Sequence, residues 1–183
     1  MQLTLPHFSP EEIMNSGQCF RMHKTAEGAY VMQSLNRVLI MTPLGEQHFH
    51  LSCTKASYES YWRRYLDADG PYQEACRALP PHDLYLRQAA EAGRGIRILH
   101  QDLWEMLITF ILSQRKTIPA IRLCVEKLCQ AAGKPLAAKG ANLPAPLYGF
   151  PSPKALCGLT LEDIRATGAG YRAPYLLATA SMA

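Results

Sequence analysis

The sequence predicts an α+β protein in which an antiparallel sheet comes first and helices follow. Three early segments are rich in Val, Ile, Leu, Tyr and Phe and alternate as strands do, at 29–35, 37–42 and 47–53. From residue 57 onward the apolar residues recur at helical spacing instead. With 183 residues, 48% of them apolar and 19% charged, the chain is long enough to bury a core and too apolar to be disordered. Strands followed by helices favour an α+β layout.

Turn-forming residues separate the first elements. Breaks at 36–37 and 43–45 divide the strands into an antiparallel meander. Ser57 is the expected N-cap of the first helix, which a break at 69–71 ends. A second helix is expected over 84–91, with Gly93 ending it.

The two clearest helices are expected to form an αα-hairpin. Asp102 can cap the first helix, with Glu105 in the capping-box position. The second begins near Thr117 with Pro119 in its first turn, and Gly133 is expected to end it as a C′ glycine. A polar loop of four to five residues joins them.

The last third of the chain is expected to form short helices after a connector. The connector, 134–151, is rich in Pro, Gly and Ala. Ser152 and Thr160 each begin a short helix, and Gly168 ends the second of them. The final helix is expected to begin near Gly170.

Charge and cysteine usage narrow the classes of function. The net charge is +4, and the stretch 94–134 holds seven basic against three acidic residues, which accounts for the whole excess. Such a surface suits a polyanion, and a solvated helix face is the alternative that charge alone favours. The six cysteines form no C-x-x-C pair, so free buried thiols are expected, with no metal and no cofactor.

The sequence also indicates a location. The longest apolar runs are strand-sized, and the N-terminus shows no signal-peptide pattern. We therefore expect a cytoplasmic protein without a membrane segment.

Four short stretches carry side chains suited to ligand binding, each with a structural alternative. Gly17 could let backbone approach a ligand, or it is an ordinary turn glycine. The loop 113–117 could contact phosphates or bases, or is a solvated turn. The stretch 168–173 could hold a phosphate and wedge Tyr171 between bases, or is a helix cap before a core tyrosine. His100, in the stretch 95–102, is more often structural than catalytic.

The order and spacing of five motifs resemble the 8-oxoguanine DNA glycosylases, of the helix-hairpin-helix glycosylase superfamily. The resemblance runs through essentially the whole chain. The motifs are S-G-Q-C-F-R at 16–21, G-I-R-I-L-H-Q-D at 95–102, F-I-L-S-Q at 110–114, Y-G-F-P-S at 148–152 and G-Y-R-A-P-Y at 170–175.

The resemblance implies a fold, a partner and a reaction. It implies a TBP-like antiparallel sheet domain with flanking helices at 1–93, then an incomplete helical domain at 94–183 that lacks the helix-hairpin-helix segment. The implied partner is double-stranded DNA containing oxidised guanine, in a bacterial-type, nucleoid-associated protein. Enzymes of this family flip the damaged base out of the duplex, and a lysine then attacks the sugar C1′ with help from an aspartate. Many members also nick the strand as AP lyases.

The catalytic segment of the family is not found in this sequence. The lysine lies in a stretch of the form L-P-G-V-G-x-K, and no L-P-G-x-G-x-K occurs among the 183 residues. No catalytic residue is therefore assigned, and whether the chain is an enzyme stays open.

Site residues follow from the resemblance position by position. Gly17 matches the glycine whose carbonyl accepts the N7–H of 8-oxoguanine. Arg115 falls where many members have an asparagine that fills the gap left by the flipped base, and Tyr171 matches the wedging tyrosine. Arg172 matches the arginine beside the orphaned cytosine, while a second cytosine-reading arginine falls at Ala120. The expected substrate-binding residues are Gly17, Gln18 and Phe20, and the expected DNA-binding residues are Gln114, Arg115, Lys116, Tyr171 and Arg172.

Three hypotheses remain from the sequence. The first is a glycosylase whose catalytic part lies outside this chain, inactive alone. The second is a non-catalytic DNA-binding module, and the third is a thiol- or metal-dependent protein. In the first case, apolar sides of the helices at 103–112 and 171–177 are expected to be exposed and to cause self-association or marginal stability.

Overall fold

The computed structural model describes residues 1–137 and 146–183. The chain divides into two compact units. Unit 1 comprises Met1–Val31 and Leu39–His100, and unit 2 comprises Met32–Val38 and Gln101–Ala183. A five-stranded antiparallel sheet precedes most of the helices, so the α+β prediction is confirmed. Part of the expected connector, 138–145, lies outside the described residues.

The sheet has the strand order β1-β5-β4-β3-β2. Its register pairs Leu3 with Phe49 and Met41 with Leu51. The register shifts between Pro43 and Gly45, where a proline that cannot donate a ladder hydrogen bond is tolerated. The strands are β1 Gln2–Thr4, β2 Met22–Lys24, β3 Tyr30–Ser34, β4 Arg37–Gly45 and β5 His48–Leu51. The three predicted strands correspond to β3, β4 and β5, while β1 and β2 were not predicted.

The helices of unit 1 are short and capped by side chains. Ser9 caps α1, Pro10–Asn15, by accepting the Glu12 N–H at 3.2 Å. The next helical run comprises α2 Lys55–Ser57, a π-helical turn Tyr58–Trp62 and α3 Arg63–Tyr65. Its N-cap is Thr54, which accepts the Ser57 N–H at 3.2 Å, so the predicted Ser57 cap is wrong. Ser57 lies inside the first turn because helical backbone begins two residues earlier, at Lys55.

Two further helices end this part of the chain. The helix α4, Tyr72–Arg77, was not predicted. The helix α5, Leu84–Ala92, was predicted and ends at Gly93 as expected. Asp83 caps it by accepting the Leu86 N–H at 2.9 Å.

The core of unit 1 is apolar and aromatic. Phe8 packs edge-on against Phe49 at 5.8 Å, and Trp62 packs against Tyr65 at 5.2 Å. Its largest fully buried side chains include Leu5, Ile13, Met22, Leu39, Met41, Leu51, Trp62 and Leu66. Helix and strand positions thus converge on one core, as a two-layer arrangement requires.

Unit 2 contains the expected αα-hairpin. The helix α6, Leu103–Ser113, begins at Asp102, whose carboxylate accepts the Glu105 N–H at 3.0 Å. The helix α7, Ile118–Ala132, follows after a four-residue loop. The remaining elements are β6 Pro135–Leu136, β7 Leu147–Tyr148, α8 Pro153–Cys157, α9 Leu161–Ile164, a π-helical turn Arg165–Ala169, a 3₁₀ turn Gly170–Arg172 and α10 Ala173–Met182. The predicted starts at Ser152 and Thr160 are confirmed as side-chain N-caps.

A buried carboxylate holds the tip of the β3–β4 hairpin within unit 2. Leu35 adopts a left-handed φ of 50°, a conformation that costs energy for a branched residue. The Glu105 carboxylate accepts the Leu35 N–H at 2.8 Å, and the Leu35 carbonyl accepts the Phe150 N–H at 2.8 Å. These bonds stabilise a turn beside the break predicted at 36–37, and they offset the strain at Leu35, which no local sequence signal indicates.

Gly133 ends α7, but for a reason other than the predicted one. Its φ of −84° is not left-handed, so the expected C′ conformation is wrong. A Cβ atom there would lie 1.9 Å from the Gly149 carbonyl oxygen. The glycine is therefore required by the close approach of two backbones, and Gly149 N–H donates to the Lys134 carbonyl at 2.8 Å beside it.

One face of α6 is apolar and exposed. Leu103, Met106, Leu107 and Phe110 follow the i, i+3, i+4, i+7 spacing of a single helical stripe and are 42–82% exposed. We call these four residues the α6 stripe. Ile108 and Leu112, on the opposite side, are fully buried. The exposed apolar surface expected on this helix is thus present, and Tyr171 and Tyr175 are exposed as well.

All six cysteines are free thiols. Cys19, Cys124 and Cys129 are buried, whereas Cys76 and Cys157 are exposed, so the expectation of burial is wrong for these two. Within 1–137 and 146–183, no three His, Cys, Asp or Glu residues are grouped closely enough to hold a metal ion. Nor does any helix in those ranges have the length and apolar character needed to cross a bilayer.

Candidate nucleic-acid interface

In unit 1 the candidate site centres on the loop after α1. Gly17 has a φ of 79°, which favours glycine because it carries no Cβ. Gly17, Gln18 and Phe20 are half-buried, and Cys19 between them is buried. Ser16 before the glycine is tied to α1, since its hydroxyl donates to the Ile13 carbonyl at 2.7 Å. The loop therefore presents Gly17 at a partly open position.

The Gln18 amide forms hydrogen bonds with other groups of this same unit. Its Nε2 donates to the Arg97 carbonyl at 2.8 Å and to Ser16 Oγ at 3.0 Å. Its Oε1 accepts the Leu99 N–H at 2.9 Å. The predicted contact of Gln18 with substrate stays a prediction, and in this structure its amide is bonded within unit 1.

Arg97 anchors the segment to which Gln18 is bonded. Its guanidinium is 2% exposed and donates to the carbonyls of Pro6, His7 and Asp67. Burial lowers the pKa of this guanidinium from its ordinary value, but arginine stays protonated in proteins. The charge is thus used inside unit 1, and Arg97 is not part of the basic surface expected from the sequence.

Aromatic rings complete the anchor. The guanidinium carbon of Arg97 lies 4.7 Å from the centroid of the Tyr72 ring and 5.8 Å from that of Phe8. The Tyr72 hydroxyl accepts the Ile98 N–H at 2.9 Å and donates to the Asp67 carboxylate at 2.5 Å. Arg97 belongs to the basic stretch 94–134 and to the motif at 95–102, but its buried role was not predicted, although an arginine between two isoleucines was a usable signal.

In unit 2 the candidate site comprises the α6–α7 loop and the turn 165–172. Gln114 and Arg115 are exposed, and Arg115 has a left-handed φ of 51°. The Lys116 ammonium donates to the Gly168 carbonyl at 2.5 Å, which ties the loop to the turn. Gly168 itself has a φ of 93° and breaks the helical run. These contacts bring together two stretches that are some 50 residues apart in sequence.

Arg172 and Tyr171 take different positions in this cluster. Tyr171 is 59% exposed, whereas Arg172 is 6% exposed. The Arg172 guanidinium donates to the carbonyls of Gln114 and Ala169 and stacks under the Tyr171 ring at 4.3 Å. In this structure Arg172 supports the loop and the ring internally, and Tyr171 and Arg115 provide the exposed aromatic and cationic groups.

The left-handed conformation of Arg115 predicts an effect on stability. For a residue other than glycine this conformation costs about 1–2 kcal/mol. Arg115→Gly is therefore expected to raise the free energy of unfolding by about 0.5–1 kcal/mol, after allowance for the added freedom of the unfolded chain. Urea denaturation measures this directly.

Arg165 is the matched control for Arg115. It is also an exposed arginine of unit 2, but its φ is −61°, within a helical turn. Arg165→Gly is expected to lower stability by up to about 1 kcal/mol. A loss of stability in Arg115→Gly comparable to that in Arg165→Gly would contradict the strain assigned to Arg115.

The sequence of this chain is similar to those of known proteins. The N-terminal domain family of 8-oxoguanine DNA glycosylase matches residues 1–107. The N-glycosylase/DNA lyase OGG1 of Arabidopsis thaliana is 29% identical over 97% of this chain and 48% of that protein. The N-glycosylase/DNA lyase of Saccharomyces cerevisiae is 35% identical over 88 residues, 23% of that protein. The chain thus spans less than half the length of these curated relatives.

Solved structures extend the likeness to nearly the whole chain. MBOgg1, in complex with a low-affinity DNA ligand, superposes with a TM-score of 0.88 at 33% identity, covering 97% of this chain and 60% of that one. The 8-oxoguanine glycosylase/lyase of Clostridium acetobutylicum, in complex with double-stranded DNA containing cytosine opposite 8-oxoguanine, gives 0.87 at 32% identity, covering 96% and 59%. Since a family match covers more than half of the chain, this protein belongs to the 8-oxoguanine DNA glycosylase family.

Proposed function

We propose that this chain recognises 8-oxoguanine in duplex DNA and serves base-excision repair. The observation that supports this most is the structural likeness, over 96% of the chain, to the Clostridium glycosylase/lyase bound to DNA with cytosine opposite 8-oxoguanine. Unit 1 supplies a loop with backbone suited to reading the base, and unit 2 supplies exposed groups suited to the duplex. A cytoplasmic, nucleoid-associated location of the bacterial type is part of this proposal.

The chemistry of the lesion gives Gly17 its proposed role. Guanine N7 carries a lone pair and accepts a hydrogen bond, whereas 8-oxoguanine carries a hydrogen there and donates one. A carbonyl oxygen can only accept. A Gly17 carbonyl aimed at N7 therefore attracts the lesion and repels the normal base, and Phe20 nearby offers an apolar surface for the ring.

Unit 2 supplies the proposed grip on the duplex. Tyr171 is exposed and held by its contact with Arg172, so it can insert between bases without losing its own support. Arg115 and Gln114 lie on the same loop at the start of α7. A cation at Arg115 suits a phosphate or a base edge, and contacts of this kind make binding salt-dependent.

Excision is the step that we do not propose for the isolated chain. The printed sequence contains no L-P-G-x-G-x-K stretch, and no residue of it matches the family's lysine nucleophile. We propose that the 183-residue polypeptide binds lesion DNA and releases no base alone. Borohydride trapping with an 8-oxoguanine duplex tests this, and a covalent adduct would contradict it.

The binding experiment compares three matched duplexes. Fluorescence anisotropy at low salt is measured with 8-oxoguanine, guanine or 7-deaza-8-oxoguanine opposite cytosine. The deaza base replaces N7–H by C–H and removes the donor that Gly17 would read. Preference for 8-oxoguanine alone supports the proposal, while equal binding to all three would leave only a general affinity for DNA.

A non-catalytic DNA-binding module is the second candidate, favoured by the exposed Arg115 and Tyr171. It predicts salt-dependent binding to any duplex, with no preference for the lesion. The slope of log affinity against log salt, measured with the 8-oxoguanine and guanine duplexes, separates the two proposed functions. A lesion preference that persists at every salt concentration favours the first. Absence of binding at low salt would exclude both.

We also propose that the isolated chain self-associates through the α6 stripe. Four exposed apolar side chains in one row form a surface that a second copy can cover. Leu107→Glu is expected to shift the chain toward monomer, because a carboxylate in an apolar contact must be desolvated. Sedimentation velocity across a tenfold range of concentration measures the change.

Leu44→Glu is the control for this prediction. Leu44 is also about half exposed, but it lies in β4 of unit 1 and is not part of the α6 stripe. It is expected to leave the association unchanged. A wild-type chain that stays monomeric throughout the range, or a Leu107→Glu variant that associates like the wild type, would contradict the proposal.

A further inference from the structure

We propose that Gln18 is a positioning residue that sets the direction of the Gly17 carbonyl. This inference rests on the proposed function, because it assigns Gln18 to recognition of the same lesion. Its side chain acts on the base through the backbone of the loop and not by contact. The hydrogen bonds of Gln18 within unit 1 carry the argument.

The Gln18 side chain imitates a paired strand residue. Its amide donates to the carbonyl of Arg97 and accepts from the N–H of Leu99, at 2.8 and 2.9 Å. Bonds to residues two apart on the neighbouring chain are the pattern that one backbone residue makes in a parallel ladder. Both polar ends of the amide are thereby engaged, and rotation of the side chain would break both bonds.

The segment that receives these bonds is itself held by contacts within unit 1. Arg97 is held by three backbone carbonyls and by the rings of Phe8 and Tyr72. The Ile98 N–H donates to the Tyr72 hydroxyl. Gln18 is therefore bonded to a segment that is itself held by several hydrogen bonds and two ring contacts.

Gly17 depends on this anchorage because it has no side chain of its own. Its carbonyl belongs to the peptide plane shared with the Gln18 N–H, so fixing the Gln18 residue restricts rotation of that plane. Ser16 fixes the other side of the glycine through its bond to the Ile13 carbonyl. Because both neighbours of Gly17 are fixed, its carbonyl points in one direction. Selective hydrogen bonding requires such preorganisation.

Gln18→Leu tests the role, since it keeps the approximate shape and removes the side-chain hydrogen bonds to Arg97, Leu99 and Ser16. The ratio of affinities for 8-oxoguanine and guanine duplexes is expected to fall about tenfold, as for loss of one well-oriented hydrogen bond. Affinity for the guanine duplex is expected to stay within about twofold, because the duplex contacts are unaffected. A merely structural role would lower both affinities together and leave their ratio unchanged.

Gln73→Leu is the matched control, because Gln73 is an exposed glutamine of the same unit. It is expected to keep the wild-type ratio. Gln18→Glu keeps an acceptor for the Leu99 N–H and loses the donor to Arg97, so an intermediate ratio is expected. This variant also serves if Gln18→Leu folds poorly.

Hydrogen exchange separates failure of this inference from failure of the proposed function. In Gln18→Leu the Leu99 amide is expected to exchange at least about tenfold faster, whether or not DNA is bound. Unchanged exchange at Leu99 would show that the hydrogen bond from its N–H to the Gln18 side chain does not hold this segment. A wild-type chain without lesion preference would overturn the proposed function, and lesion preference retained in Gln18→Leu would overturn only the positioning role.

Discussion

Arg97→Leu is expected to lower the free energy of unfolding by about 3–5 kcal/mol, as for loss of one partner from a buried charged network. Leucine leaves the carbonyls of Pro6, His7 and Asp67 without their donor in a site where the side chain is 2% exposed. Each buried acceptor that loses its partner carries a desolvation cost of about 1–3 kcal/mol. Some of these carbonyls will recover water, which keeps the total below the simple sum.

Urea denaturation followed by tryptophan fluorescence measures this change, because Trp62 lies in the core of unit 1. Arg94→Leu is the control, since Arg94 forms only an exposed pair with Glu91 at 3.2 Å. Exposed pairs contribute about 0–1 kcal/mol, so little change is expected there. If the two variants were equally stable, the anchoring role assigned to Arg97 would be wrong, and with it the rigidity of the 97–99 segment.

The order of secondary structure could be predicted from the sequence because its signals are local. Alternation gave β3 to β5, and capping residues gave the starts of α6, α8 and α9. The strands β1 and β2 have three residues each, which is too short for alternation to register. Ser57 was assigned as a cap because capping residues resemble one another, and only the backbone distinguishes Thr54 from it.

The interior contacts of the candidate site could not be predicted in the same way. Arg172 lies in a motif with Tyr171, and the family resemblance implied a position beside the orphaned cytosine. In the structure the Arg172 guanidinium donates a hydrogen bond to the Gln114 carbonyl, 58 residues away. Sequence spacing carries no information about such a bond. Gln18 shows the same limit, because its partners are some 80 residues downstream. Arg115 and Tyr171 are exposed, as a DNA contact requires, and their binding role stays a prediction.

In each unit, cationic side chains hold the loops of the candidate site in place. In unit 1 a buried cation fixes a segment, and the segment fixes a glycine loop. In unit 2 Lys116 and Arg172 donate to backbone carbonyls of the loop and the turn, so that Tyr171 and Arg115 stay exposed. Two of the predicted DNA-binding cations thus also have structural contacts, and their contacts with DNA stay predictions.

Gly133→Ala is expected to lower the free energy of unfolding by about 3 kcal/mol, at the upper end of overpacking costs. The new Cβ would lie 1.9 Å from the Gly149 carbonyl oxygen and 2.5 Å from that of Cys129. Both atoms belong to backbone, so no side-chain rotation can relieve the clash. If the backbone segments at Gly133 and Gly149 moved apart, the bond from Gly149 N–H to the Lys134 carbonyl and the pairing of β6 with β7 would also break.

Gly158→Ala is the comparison that isolates the clash from the change of residue type. Gly158 has a helical φ of −76°, and its added Cβ would lie 3.3 Å from the Ala155 carbonyl oxygen, a contact that a small shift relieves. Alanine there is expected to change stability by less than about 1 kcal/mol, because it reduces the freedom of the unfolded chain at a compatible conformation. Thermal and urea unfolding of both variants measure the difference. Similar stabilities would mean that the backbones at Gly133 and Gly149 can separate without cost, and the glycine that ends α7 would then need another explanation.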